Sequence, residues 1–315
     1  MISVRWSLGI VVVFTISSMS AIAQQASVFS FLRYSLSARH AGLAGATVAM
    51  PNDASSILVN PASVVTVEDK NLSATFLKHV VDINSGAAVY TGELGDSAWY
   101  AVSAVYTSYG AFERADETGN RFGSFGGNDV AFGFTYGNEI DSMISYGATA
   151  KFIYSGIDDM ASTAVAIDAG LHIRIPKSRT NLGISVMNLG AQLSTFDGTT
   201  DRLPVDVRIG VNHQLRGLPL LVNASINHMA DDVESFTDRF LNFSVGGELS
   251  LGKALKLRVG YDNATRNRTG VNIASQLAGL SGGVGIILKT LTIDYAVSTF
   301  GSAALLHRFS VATGL

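Results

Sequence analysis

Apolar and polar residues alternate with a period of two along most of this chain. From Val130 to Tyr136 the even positions are Val, Phe, Phe and Tyr, set against Ala131, Gly133 and Thr135. From Val165 to Ile175 the odd positions are apolar, with Asp168, His172 and Arg174 between them. Val205–Val211 interleaves with Asp206 and Arg208, and Leu255–Tyr261 with Lys256 and Arg258. A strand sends successive side chains to opposite faces, so each stretch has one apolar and one polar face; a helix would scatter the apolar set around its axis. The pattern predicts an all-β chain of about fourteen antiparallel strands, each near the roughly 10 residues that a tilted membrane strand requires. They are expected near 70–79, 83–92, 97–108, 128–138, 143–155, 162–175, 180–190, 203–215, 219–229, 238–251, 254–263, 279–288, 290–298 and 303–313.

The connections sort by length. Short turns at Glu93–Asp96, Glu139–Ser142, Pro176–Arg179, Arg216–Leu218, Gly252–Lys253 and Lys289 alternate with longer segments at Tyr109–Gly127, Ala191–Arg202, Ala230–Thr237 and Asn263–Ala278. That asymmetry predicts an up-and-down transmembrane barrel with tight periplasmic turns and longer outer loops, and the even strand number places both ends in the periplasm. The apolar face must then meet lipid. An Arg at mid-membrane on that face would cost roughly 2–4 kcal/mol, so Asp129, Lys151, Asp168, Arg174, Asp206, Arg208, Glu248, Lys256, Arg258, Asp294 and Arg308 belong in the lumen. Their mixed signs predict a lumen cross-linked by ion pairs rather than a wide selective pore.

One long stretch of the expected mature chain fails to alternate. Ser37–Val64 is rich in Ala and Gly and holds Pro51 and Pro61, two of the chain's five prolines. We expect residues 24–66 to form an N-terminal segment and a compact lumen plug, around which residues 67–315 wrap as the barrel. Residues 1–23 have the form of a cleaved export signal: Arg5, the apolar run Leu8–Ile16, then Ala21-Ile22-Ala23.

Composition narrows the function classes. Only 15% of residues are charged, the net charge is −3, and cysteine is absent. The weak charge gives no case for a nucleic-acid partner, and the missing cysteines exclude disulfides and thiolate metal sites. Gly279–Gly283 matches a G-x-S-x-G nucleophile pattern, but Ser281 lies in an alternating strand with no helix after it, so a Gly-rich barrel strand is the better reading. The six histidines are scattered and form no ligand pattern. The chain is therefore read as a non-enzyme without a cofactor. The most distinctive surface is Tyr109–Gly127, which combines Tyr109, Phe112, Phe122 and Phe125 with Arg114, Asp116 and Arg121. Aromatic and Arg residues together favour a protein interface; the alternative is a loop folded over the barrel mouth. Arg266 and Arg268 mark a second candidate contact surface.

The segment VFSFLRYSLSARHAGLAGATVAMPNDASSILVNPASV, Val28–Val64, resembles the start of the PorV/PorQ family, outer-membrane barrels of the type IX secretion system with a FadL-like fourteen-stranded fold. The resemblance rests on Ser37-Ala38-Arg39, Gly42, Gly45, Asp53-Ala54-Ser55 and Asn60-Pro61-Ala62, which in that class form a plug inside the barrel. Val28–Leu32, Tyr109–Phe112 with Gly119-Asn120, and Lys151–Ser155 extend the likeness to the PorQ branch. The final aromatic is Phe309 rather than Leu315, which departs from the usual barrel ending. The resemblance implies a non-enzymatic anchor in the outer membrane for the cargo-attachment complex, with a PorZ-like surface protein as neighbour and PorU and PorV as wider members. The alternative it leaves open is a FadL-type transporter of hydrophobic small molecules, which predicts an apolar pocket beside the plug and a kinked, hydrogen-bond-poor strand in the wall.

Overall fold

Fourteen strands pair antiparallel in chain order and close into one barrel through the β1–β14 pair. The computed structural model describes residues 27–315 apart from 69, 80–81, 96, 269–276 and 301–303. The export signal expected at 1–23 and part of the loop at Asn263–Ala278 lie outside the described residues.

The strands are β1 (Asn71–Lys78), β2 (Asn84–Leu94), β3 (Ala98–Ala115), β4 (Arg121–Glu139), β5 (Ile144–Ile157), β6 (Met160–Ile175) and β7 (Thr180–Ser194). They continue with β8 (Asp206–Gln214), β9 (Leu220–Ile226), β10 (Phe243–Leu251), β11 (Leu255–Asp262), β12 (Leu280–Leu288), β13 (Leu291–Phe300) and β14 (Ala304–Gly314). The alternation sorts as the pattern requires. Phe132, Phe134, Phe152 and Tyr154 point outward and are exposed, while Asp129, Thr135, Thr149 and Asp168 are buried inside. An exterior of this kind fits a bilayer, because the strands close on themselves and leave no free edge of the sheet.

Several strand ends differ from the sequence expectation. The segment Tyr109–Gly127 is not a loop: β3 and β4 run on as a paired hairpin, with Ala111 opposite Gly126 and Phe112 opposite Phe125. Only its tip turns, where Asp116 accepts backbone hydrogen bonds from Thr118 and Asn120. On the other side the wall is lower than expected. β8 starts after Pro204, which has no N–H to donate to a ladder, and β9 stops before His228, whose φ of 58° leaves the strand region. The start expected for β10 at 238 is instead a short 3-10 turn, Phe236–Leu241, closed by a Ser235/Asp238 capping box.

Candidate functional site: plug, lumen and wall seam

The plug is built from short helical pieces with their own caps. Ser37 precedes α1 (Ala38–Gly42), and the backbone N–H of Ala38 donates to Ser310 Oγ in the wall at 2.8 Å. The turn after α1 uses left-handed backbone at Ala44 and at Gly45, the latter with φ of 75°. Asp53 caps a 3-10 turn at Ala54–Leu58 by accepting from Ser55 N. Asn60 caps the next, Pro61–Thr66, with Pro61 at the first position, where a missing N–H costs nothing.

The wall satisfies the polar backbone that such an irregular segment exposes. Ser185 Oγ donates to Val59 O, Asn212 Nδ2 to Ala49 O, and Arg308 Nε to Ser35 O, all within 2.8 Å. Asn60 Nδ2 donates at 3.0 Å to Val48 O within the plug and to Leu171 O in the wall. Ser281 Oγ donates to Gly42 O and is buried. The serine of the G-x-S-x-G run is thus a plug contact.

Close approach is made possible by glycines on the lumen phase of the wall. Gly137 pairs with Gly147, Gly147 with Gly170, Gly183 with Gly210, and Gly246 with Gly260. A Cβ on Gly147 would lie 2.5 Å from the Pro61 carbonyl, and one on Gly260 2.5 Å from Leu43 C and Ala44 N. Gly170 and Gly183 face Asn60 and Val48 in the same way. Sequence reasoning missed this girdle, although its signal is present as glycines at alternating, otherwise polar positions.

A charged chain ties plug to wall. Arg39 forks onto Glu248, with Nε and Nη2 at 2.9 and 3.0 Å from the two carboxylate oxygens, and reaches Asp53 at 3.4 Å. Glu248 also accepts from Arg258 Nε at 2.7 Å, and Arg258 continues to Asp294. His40 lies beside Asp53 and the hydroxyls of Ser55 and Ser56. Burial opposes the Asp53 charge, but the hydrogen bond and charge of His40 and then the Arg39 guanidinium hold its carboxyl well below the usual carboxylate range. A carboxylate depressed in the folded state contributes stability above its unfolded pKa of about 3.8 and loses it as pH falls. Hydrogen exchange of residues 38–66 should therefore speed up as pH drops below about 4, and Asp53→Asn should remove most of that pH dependence.

The wall carries a seam between β7 and β8. β6 and β7 pair out to Thr163–Ser194, with a bulge where Met187 and Asn188 together oppose Asp168. β8 pairs with β7 only from Thr180–His213 to Met187–Asp206, so the outer part of β7 has no ladder partner on that side. Asp168 holds the bulge by accepting from Asn188 N at 2.7 Å, and Lys151 Nζ sits 2.7 Å from both Asp168 and Asn188 Oδ1. Asn188 itself is left-handed, with φ of 60°. Across the gap the chain is stitched by side chains: Asn188 Nδ2 donates to Pro204 O, and Asp201 N donates to Gln192 Oε1. A lumen cavity of about 270 Å³ lies between the plug and the low side of the wall. Its lining is mixed: Ala41, Ala44, Val59, Leu280 and Leu306 contribute apolar surface beside Arg208, His228 and Arg308.

The candidate interface residues fall on the β3–β4 hairpin. Tyr109 turns inward and donates to Asp129 in the lumen. Phe112 stacks on Phe125 with centroids 5.3 Å apart, and Arg114 lies over Phe125 while pairing with Asp158. Arg121 pairs with Glu113 across the hairpin, and Phe122 is 66% exposed. Arg266 and Arg268 lie elsewhere, on α2 (Asn263–Arg268). No group of three His, Asp or Glu side chains placed to hold a metal occurs among the described residues.

This geometry has counterparts among solved structures. The Pseudomonas putida toluene transporter TodX matches with a TM-score of 0.60 at 10% identity, over 88% of this chain and 96% of that one. The CymD monoaromatic hydrocarbon channel matches at 0.60 and 11%, over 89% and 97%, and a Pseudomonas aeruginosa FadL homologue at 0.57 and 12%, over 89% and 98%. The fold is FadL-like. No family model and no curated protein sequence matches the chain. At these identities the likeness carries the architecture alone; of these neighbours TodX is a transporter and CymD a channel.

Proposed function

We propose that this FadL-like barrel is an outer-membrane channel for small hydrophobic molecules, with the plug fixed and the route leaving the lumen sideways between β7 and β8. The observation that carries this reading is the seam: a bulged strand held by Asp168, then seven outer residues of β7, Asn188–Ser194, without a ladder partner. Where neighbouring strands pair along their whole length, lateral exit would require breaking that backbone pairing; β3 also outruns β2, by Tyr109–Ala115, where it continues as the hairpin with β4. Beside β7 the gap is held by side chains instead: Asn188 and Gln192 hydrogen-bond across it, and Leu203 packs in a cluster with Phe29, Phe31, Ala164 and Ala166 behind it, so these contacts must part. The toluene transporters and the hydrocarbon channel that share the architecture support the same choice of solute class. Deleting Asn188 removes the extra residue and should regularise the β6–β7 pairing. Toluene uptake by cells expressing the protein should rise above that of empty cells and fall at least tenfold in the deletion variant. Equal uptake with and without the protein would end the reading.

A second reading has its own support. The Arg39–Glu248–Arg258–Asp294 chain suits a lumen that stays blocked, and the β3–β4 hairpin presents Phe112 and Phe122 beyond the wall. A PorQ-like anchor of the type IX attachment complex would use that hairpin to hold a PorZ-like surface protein, with PorU and PorV as further members. Affinity purification from outer membranes should then recover such partners, and Phe122→Asp should release them while leaving the barrel folded.

A further inference from the structure

The wall is too low on one side to span a bilayer with strands alone. β9 has seven residues, Leu220–Ile226, against eighteen in β3 and nineteen in β4. At about 3.3 Å per residue and a tilt of roughly 40°, β9 rises only about 18 Å, short of the apolar band of about 25 Å that such barrels present to lipid. Its periplasmic end is fixed by the tight turn to β8, so the deficit falls on the outer side. The Phe236–Leu241 turn sits at that place: Asn227 N donates to Asn242 O, and Asn263 Nδ2 donates to Leu241 O, joining the turn to the tops of β9, β10 and β11. On the turn Phe236, Phe240 and Leu241 are 63%, 44% and 48% exposed, and Phe236 and Phe240 pack edge to face at 5.6 Å. The patch continues the outward apolar column of β10, which runs Phe243, Val245, Leu249 and Leu251. Large apolar side chains exposed together at a rim mark a surface that meets a partner or lipid.

We propose that the Phe236–Leu241 turn is a membrane-embedded part of the rim, whose occupant is the acyl region of the outer leaflet, so that it completes the lipid-facing band above β9 and β10. The capping box makes this possible, since Ser235 and Asp238 satisfy the backbone N–H groups at the end of the turn that would otherwise be carried into apolar surroundings. The Arg239 guanidinium lies over the Phe236 ring at 5.8 Å, a cation–π contact that offsets part of the cost of a charge at the edge of the acyl region. The acidic residues Asp232 and Glu234 lie outside the turn, so the acyl region rather than an anionic headgroup is the partner that fits.

The inference rests on the membrane-barrel reading, and the test separates the two. In the exported protein with Trp99 replaced by Phe (Trp6 lies in the export signal expected to be removed), one tryptophan is introduced as Phe236→Trp or, in the wall, as Phe152→Trp. Each variant is reconstituted in vesicles of phosphatidylcholine brominated along the acyl chain. We expect both tryptophans to be quenched at least twofold by the brominated lipid and shielded from acrylamide. Acrylamide quenching at 236 with lipid quenching at 152 would overturn the embedded turn alone. Loss of lipid quenching at both positions would overturn it together with the membrane reading.

Discussion

Glu248→Gln should unseat the plug while leaving the barrel closed. Glu248 is 3% exposed and is shared by two guanidiniums, Arg39 of the plug and Arg258 of the wall. Removing its charge leaves Arg258 with Asp294 and Arg39 with only the longer contact to Asp53. Breaking a buried ion pair by removing one partner costs about 3–5 kcal/mol, because the remaining charge has lost its solvent and its counter-charge together. Most of that cost falls on the docked plug, since the strand pairs flanking Glu248, with Leu221 and Arg258, are held by backbone bonds. In planar bilayers the native protein should show little conductance, and the variant should show frequent openings. Gel mobility of unheated protein should still report a closed barrel. A variant as silent as the native protein would mean that the charged chain is not what seats the plug.

The second large effect is expected from steric fit. Gly147→Val should cost about 3 kcal/mol or more, at the upper end of overpacking penalties, because the atoms it meets cannot move aside. Its Cβ would fall 2.5 Å from the carbonyl carbon and oxygen of Pro61, which are backbone atoms in a capped turn, while the wall side is fixed by pairing to Gly137 and Gly170. Hydrogen exchange in residues 60–66 should rise by two orders of magnitude or more, which is the kinetic reading of that penalty. Gly247→Ala on the outer face is the matched control: its Cβ would meet only Leu220 Cδ1, at 3.4 Å, and exchange should not change.

How far these features were readable before folding depends on the range of the forces behind them. The period of two fixes strand number and faces because it is local, and all fourteen strands fall where the alternation puts them, to within a few residues at most ends. The β3–β4 extension was hidden because Glu113, Arg114, Gly123, Gly126 and Gly127 break the alternation once the strands leave the apolar band, although their backbones still pair. The bulge at Asn188 was not readable, since it depends on Asp168 accepting from a backbone N–H on the neighbouring strand. The plug residues Arg39, Asp53, Asn60 and Pro61 stood out, and all are set against the wall or within the plug's caps. What the sequence alone does not select is Arg39's partner. Asp129, Asp168, Glu248 and Asp294 all lie on lumen-facing phases, and only the three-dimensional register brings Glu248 within reach.

The glycine girdle also constrains the order of assembly. A row of glycines leaves an annular void at mid-lumen that no barrel side chain can fill, so an empty closed barrel of this sequence would be a poorly packed one. The closing pair joins Asn71 to Gly314, almost the two ends of the barrel sequence, and this is the costliest loop to shut. The plug is made before any strand and is held to the wall at β6, β7, β8, β10, β12 and β14. Strands that arrive in sequence can each dock on it before the last one exists. A plug docked in this order would act as a mandrel, setting the circumference as the sheet curls and bringing β14 back to β1.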